Sequence, residues 1–194
     1  MLPRRPKRRG LLQARQFTET FNSVILWERD LQYQVRFTGP TGAIAIEAAL
    51  ELSRRFIGRR NVISFKPAYD GNFEQSAASG NRGAEGLPLS GVEFMPYDHF
   101  LGSTVDTADH LRNQIIHGSS GIDHPAAIFI ETIQEETGMN AAEAKWLRSI
   151  QAVARDVGAL LIINDIQMDC GRTGEFFSFE RASLSPDSRT VELA

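Results

Sequence analysis

From about Tyr33 onward, short apolar runs alternate with longer stretches of helical period, the pattern of strands joined by crossover helices in an open α/β sheet. Four runs read as strands: YQVRFT (33–38), NVISFK (61–66), AAIFIET (126–132) and ALLIIND (159–165), with VEFMPY (92–97) as a fifth. Each is rich in Val, Ile or Phe, and ALLIIND is apolar on both faces, as a strand covered by helices on both sides should be. Helical spacing predicts a first helix over 43–57, with Ile46, Ala49, Leu50, Ser53 and Ile57 on one stripe, Glu51 and Arg55 paired outside it, and Gly58 as its stop. A second helix is expected over 105–117. A third begins after Asn140, where Glu143 gives a capping-box-like start, and carries Leu147, Ile150, Ala154 and Val157 inward before Gly158. Residues 67–90 hold four glycines without clear period and read as a loop-rich excursion at a candidate site.

Composition narrows the class of protein. A 194-residue chain that is 42% apolar and 23% charged can bury a core as one globular domain. No apolar run approaches the roughly 20 residues that cross a bilayer, and the basic start has no secretory pattern after it, so the expected address is cytoplasmic, with no membrane partner. The net charge of −3 conceals Arg4, Arg5, Lys7, Arg8 and Arg9, which leave about −8 on the remainder. That remainder has the wrong sign for a phosphate-tracking surface, so nucleic acid is not an expected partner, and residues 1–15 are expected to form a solvated, disordered arm. Cys170 stands alone, which excludes an internal disulfide framework, and His99, His110, His117 and His124 lack metal-ligand spacing.

Open α/β sheets bind ligands at the carboxyl ends of their strands, so residues just beyond each apolar run carry the candidate chemistry. These are GPTGA (39–43), PAYDG (67–71), ETIQEETG (131–138) and NDIQ (164–167). GPTGA opens directly into a helix, which places backbone N–H groups and the positive end of a helix dipole at one spot suited to phosphate, although the segment by itself favours a tight turn without a ligand. Tyr69 can stack on a flat ring or pack as a surface aromatic. Glu131, Asn164 and Asp165 end two strands expected to be neighbours, where polar groups address a heteroaromatic ligand or simply form turns.

Taken in order, FTGPTGAIAIEAALELSRR, SGVEFMPYD, GIDHPAAIFIETIQ and CGRTGEFFSFERA resemble the large domain of class III pyridoxal-phosphate-dependent aminotransferases, most of all those acting on diaminobutyrate and 2-oxoglutarate. The resemblance runs over 16–186 and implies a three-layer αβα fold with a mostly parallel sheet. This is the large domain of the type I aminotransferase-like fold, truncated, with residues 187–194 a divergent tail. It implies pyridoxal 5'-phosphate as cofactor, amino acid and 2-oxo acid substrates, and a homodimer in the family whose missing portions supply much of the interface. Amino transfer would run between glutamate/2-oxoglutarate and aspartate semialdehyde/2,4-diaminobutyrate, as in ectoine or siderophore synthesis; ornithine- and 4-aminobutyrate-type relatives share the core motifs. By the same resemblance Gly42 and Ala43 hold the cofactor phosphate, Tyr69 stacks on the ring and Ile166 packs beneath it. Gln167 approaches the ring hydroxyl, residue 164 faces the pyridine nitrogen, and Glu131 gates the substrate carboxylate.

The same register exposes departures. The cofactor-bearing lysine falls on Leu193, and Asn164 stands where the family has an aspartate that keeps the ring nitrogen protonated. Ala43 replaces a hydroxyl residue, Asp70 a histidine, and ETIQEETG a glycine-rich turn. No catalytic residue is therefore assigned. The expectation is an aminotransferase by descent with weakened cofactor binding and no turnover alone, or else a non-catalytic relic or interaction module.

Overall fold

A computed structural model describes residues 8–39, 41–66, 91–116, 121–135, 138–168 and 170–190. The chain divides into two units, Met1–Phe37 and Thr38–Ala194.

In the first unit the arm expected to be disordered through residue 15 is helical from its eighth residue. Helix α1 (Arg8–Phe21) runs on through a π-helical turn (Asn22–Leu26) and a 3-10 turn (Trp27–Arg29) to Asp30, whose left-handed φ of 52° ends it. Ring stacking of Phe17 on Phe21 at 5.5 Å and the Arg15–Glu19 ion pair both use the i,i+4 spacing of a helix. YQVRFT (33–38) joins no sheet, which corrects the first expected strand. Its alternation is visible in the half-buried Tyr33 and Val35, and Phe37 meets Phe17 edge-on at 5.7 Å. Period-two burial records packing on one side; a strand also needs a neighbouring edge for its backbone groups.

The second unit is built on β1 (Val62–Lys66), β2 (Val92–Pro96), β3 (Ala127–Glu131), β6 (Leu160–Asn164) and β7 (Ser188–Thr190), parallel throughout in the order β2-β1-β3-β6-β7. The fifth place in the sheet thus belongs to β7, inside the segment read as a divergent tail. Asp187 secures it, its N–H donating to the Leu161 carbonyl and its Oδ2 accepting from the Leu161 N–H, each at 2.9 Å. A short antiparallel pair, β4 (Ile133–Gln134) with β5 (Asn140–Ala141), folds the ETIQEETG turn, an element the apolar pattern does not announce.

Helix α2 (Gly42–Ile57) buries Ile46, Leu50 and Ser53 from the expected stripe and keeps Glu51–Arg55 as an exposed ion pair. Ile46 and Leu50 pack with Val62, Ala127, Phe129 and Ile162, which alternate along their strands and so define one face of the sheet. The opposite face, carrying Ile63, Phe65, Ile128, Ile130, Leu161 and Ile163, is buried as well. There Phe65 meets Trp146 of α4 (Ala144–Val157) at 5.2 Å. Helix α3 (Thr107–Ile116) packs beside α4 and is tied to it by the Arg112–Asp156 ion pair. Helices on both faces of a parallel sheet make the three-layer αβα architecture that the apolar runs predict.

The amino caps of α3 and α4 differ from one another. Asp106 Oδ1 accepts from the Ala108 and Asp109 N–H groups at the start of α3. The capping box read at Asn140 is not formed, because Asn140 is paired in β5 and Glu143 is itself the residue before α4. The Glu143 N–H donates instead to Asp98 Oδ2 at 2.8 Å. Gly58 and Gly158 close α2 and α4 with left-handed φ of 73° and 64°, a region that costs glycine nothing. Arg59 crosses between these ends, donating from its guanidinium to the carbonyls of Val157 at 2.7 Å and Pro125 at 3.1 Å.

Candidate active-site rim

Only Arg59, Arg60 and Asn61 separate Gly58 from β1, so the carboxyl end of α2 lies at the amino ends of the strands and its amino end points to their carboxyl ends. Ile166, just beyond β6, packs against the cluster on the α2 face of the sheet. The helix start, the ends of β3 and β6, and Ile166 therefore share one rim on one face. Thr41 caps α2 in an extended conformation, its Oγ1 accepting from the Ile44 N–H at 3.4 Å, with Gly42 buried and Ala43 half-buried behind it. A sixteen-residue helix places the positive end of its dipole there.

Glu131 and Asn164 are register partners at the ends of adjacent strands, as their positions after the two apolar runs predict. The Asn164 Nδ2 donates to Glu131 Oε1 at 3.1 Å, and its Oδ1 accepts from the Ile166 N–H at 3.3 Å. The residue 164 side chain thus orients a carboxylate on one side and the following turn on the other. Asp165 is fully buried on the opposite face, where its Oδ2 accepts from the Ser178 N–H at 3.1 Å, so its charge is directed away from the rim. Gln167 is exposed in the turn after β6. Tyr69, Asp70 and Leu193 lie outside the described residues.

Sequence reasoning missed several supports of this rim. The Tyr97 hydroxyl donates to the Glu131 carbonyl at 2.8 Å, fixing the backbone that carries the carboxylate. Thr132 Oγ1 donates to Ser178 Oγ at 2.5 Å, and Gln134, 2% exposed, donates from Nε2 to the Phe65 carbonyl at 3.4 Å. These join parts of the chain 34 to 69 residues apart, and no local pattern marks them. Lys66 ends β1 as Glu131 ends β3. A separate concavity of about 480 Å³, lined by Arg59, Arg60, Asn61, Gly91, Asp123 and His124, lies at the opposite end of the sheet.

Burial holds the Tyr97 phenol well above its ordinary pKa, with Glu131 and Asp98 adding to the shift. The unfolded chain therefore loses this proton before the folded one. The stability contribution is complete below the ordinary tyrosine pKa of about 10 and falls as pH rises beyond it. Tyr97→Phe is expected to cost about 1–2 kcal/mol at neutral pH and to flatten the decline in stability above about pH 10, checked by urea unfolding across the alkaline range.

The chain belongs to the class-III aminotransferase family, whose family model matches residues 12–192. It is 50% identical over 177 residues to an uncharacterized aminotransferase of Sinorhizobium fredii, covering 89% of this chain and 40% of that one. To the diaminobutyrate–2-oxoglutarate transaminase of Bordetella parapertussis it is 45% identical over 181 residues, covering 91% and 42%. The fold matches an S-selective transaminase from Bacillus megaterium with a TM-score of 0.72 at 20% identity, over 90% of this chain and 42% of that one. A taurine:2-oxoglutarate aminotransferase from Bifidobacterium kashiwanohense, solved with PLP and glutamate, matches with a TM-score of 0.71 at 20% identity, over 91% and 42%. The chain spans about two-fifths of the length of the curated relatives it matches. The family match begins four residues before the resemblance read from the sequence and continues six residues beyond it.

Pyridoxal phosphate, which the family implies, can be tested against these residues. The start of α2 and the apolar Ile166 suit an anionic, ring-bearing ligand. Asn164, at the position the sequence resemblance sets opposite the ring nitrogen, is a neutral amide whose donor is directed to Glu131. Lys145 sits in the first turn of α4, the helix on the opposite face. Among the described residues, the start of α2 suits an anion and Asn164 offers no charge to a ring nitrogen.

Proposed function

We propose that this chain is the cofactor-binding segment of a pyridoxal-phosphate-dependent aminotransferase of the diaminobutyrate/2-oxoglutarate type, and that it does not turn over alone. Gly42 and Ala43 hold the phosphate, Tyr69 stacks on the ring with Ile166 beneath it, Gln167 approaches the ring hydroxyl and Glu131 gates the substrate carboxylate. When bound, the group supplies an electron-accepting ring. The observation that carries this reading is Glu131 beside residue 164 on the face and rim to which α2 brings its amino end. The side chain at 164 carries the second half of the reading. An amide cannot stabilise a pyridinium by charge, and charge-assisted hydrogen bonds are worth roughly twice neutral ones.

The expected result with the purified chain, pyridoxal phosphate, glutamate and aspartate semialdehyde is saturable cofactor binding by equilibrium dialysis without 2-oxoglutarate release above the protein-free blank. Release above that blank overturns the inactivity, and absence of binding overturns the cofactor role. A second reading, a non-catalytic module that pairs with a longer aminotransferase, draws on Ile44, Leu52 and Phe56, exposed at 39%, 51% and 77% along α2. Copurification with such an enzyme separates it from the first.

A further inference from the structure

We propose that the concavity at the amino ends of the strands binds inorganic phosphate, with Arg59, Arg60 and His124 donating to its oxygens and Asp123 accepting from its hydroxyl. The concavity measures about 480 Å³ and is lined by these four residues together with Asn61 and Gly91. It lies at the end of the sheet opposite Glu131 and Asn164, so it stands apart from that rim and does not depend on what the rim receives.

Three connections meet there. Arg59, Arg60 and Asn61 lead from α2 into β1, Gly91 immediately precedes β2, and Asp123 and His124 stand before β3. The backbone at this end is already engaged, the Val62 N–H donating to the Gly91 carbonyl at 2.7 Å and the Ala126 N–H to the Asn61 carbonyl at 2.6 Å. A ligand is therefore met by side chains. A Cβ at position 91 would lie 2.9 Å from Asn61 Oδ1, so glycine keeps this wall clear.

The arginines bring more positive charge here than the fold answers. Arg59 is held by Nη1, which donates to the carbonyls of Val157, Pro125 and Gly158 at 2.7, 3.1 and 3.3 Å. A guanidinium fixed in this way is pre-organised to meet an oxyanion with its remaining N–H groups. Beside it, Arg54 Nε donates to the Arg60 carbonyl at 2.8 Å, while Arg54 Nη2 is buried without a hydrogen-bond partner. Burial, and then the charge of Arg60, lower the Arg54 pKa, so two like charges are held together at a cost. Among the described residues no carboxylate forms an ion pair with Arg54, Arg59 or Arg60. An anion in the concavity offsets that repulsion.

Asp123 decides which anion. Arg60, Asp123 and His124 are all exposed, so each is open to a ligand arriving from solvent. A carboxylate repels an oxyanion that has lost every proton and accepts a hydrogen bond from one that keeps a hydroxyl. At neutral pH phosphate keeps a proton and sulfate does not. The set therefore favours phosphate, which on binding joins the approaches to three strands and stabilises the folded chain by mass action.

The test titrates the isotope-labelled full chain at neutral pH with inorganic phosphate and, at matched ionic strength, with sulfate, followed by heteronuclear NMR. Saturable shifts are expected at Asn61, Gly91, Asp123 and His124, with phosphate binding at least about fivefold tighter than sulfate. Arg60→Ala should weaken phosphate at least about fivefold; the side chain is exposed and Arg54 meets only its carbonyl, so the variant keeps the fold. Arg172→Ala, which removes the same charge beyond β6, should change the affinity less than about twofold. Asp123→Asn should bring sulfate to within about twofold of phosphate. Shifts confined to Gly42 and Ala43, shifts that never saturate, or an affinity unchanged by Arg60→Ala overturn the site. Sulfate binding the native chain as tightly as phosphate overturns the choice of ligand.

Discussion

Replacing Trp146 with alanine is expected to lower the free energy of unfolding by about 3–5 kcal/mol, the range for truncating a large buried aromatic. Trp146 is 6% exposed in the first turn of α4, with ring centroids 5.2 Å from Phe65 and 4.9 Å from Tyr97, both edge-on. Such pairs contribute about 0.5–1.5 kcal/mol each beyond the area they bury. The indole N–H donates to Thr107 Oγ1 at 2.8 Å, and that buried hydroxyl donates to the Tyr97 carbonyl at 3.1 Å. One side chain therefore joins α4, the start of α3, β1 and the segment after β2. Trp146→Phe keeps most of the apolar area and loses the donor, so it should fall between the native chain and the alanine variant. Urea unfolding followed by circular dichroism measures both, since the substitutions remove a fluorescent reporter. A loss below about 1 kcal/mol for the alanine variant contradicts the described seating of α4.

Asn164→Asp is expected to destabilise the chain by about 1–3 kcal/mol at pH 7 in the absence of cofactor. The Asn164 Nδ2 donates to Glu131 Oε1 at 3.1 Å, and the substitution turns that contact into two facing carboxylates. The other contact, from the Ile166 N–H to Oδ1, survives because aspartate is also an acceptor. Both residues are half-buried, so solvent screens part of the repulsion and the lower half of the range is favoured. Repulsion raises the folded pKa of one carboxyl above its unfolded value of about 4. The penalty therefore develops as pH rises past about 4 and is complete above the raised folded pKa. It fades as acid protonates one partner and lets it donate to the other. Urea midpoints of variant and native chain should converge between neutral pH and about pH 4. A gap that stays constant over that range excludes the facing-carboxylate account. Bound pyridoxal phosphate should narrow the gap at neutral pH, because a ring nitrogen held protonated would then face the new carboxylate.

The apolar pattern located β1, β2, β3, β6, α2, α3 and α4 to within a few residues, because each presents a repeating buried face whose period is a local property of the chain. Gly58 and Gly158 were legible as helix ends for the same reason: their left-handed φ is a property of one residue. The rim was legible as positions, since Glu131 and Asn164 close apolar runs and ligands gather at the carboxyl ends of parallel strands.

Partnership was beyond what the residues show in order along the chain. YQVRFT has the alternation of a strand and joins no sheet, whereas Ser188–Thr190, polar and only three residues long, completes one beside β6. Pairing depends on which edge is free and near, a long-range property that side-chain period does not encode. Likewise the 3.1 Å contact of Asn164 with Glu131 and the Tyr97 hydroxyl on the Glu131 carbonyl join residues separated by 33 and 34 positions. Local composition set which side chains end each strand; the order and register of the sheet set which of them meet, because backbone hydrogen bonds between strands, rather than neighbours in sequence, hold the rim together.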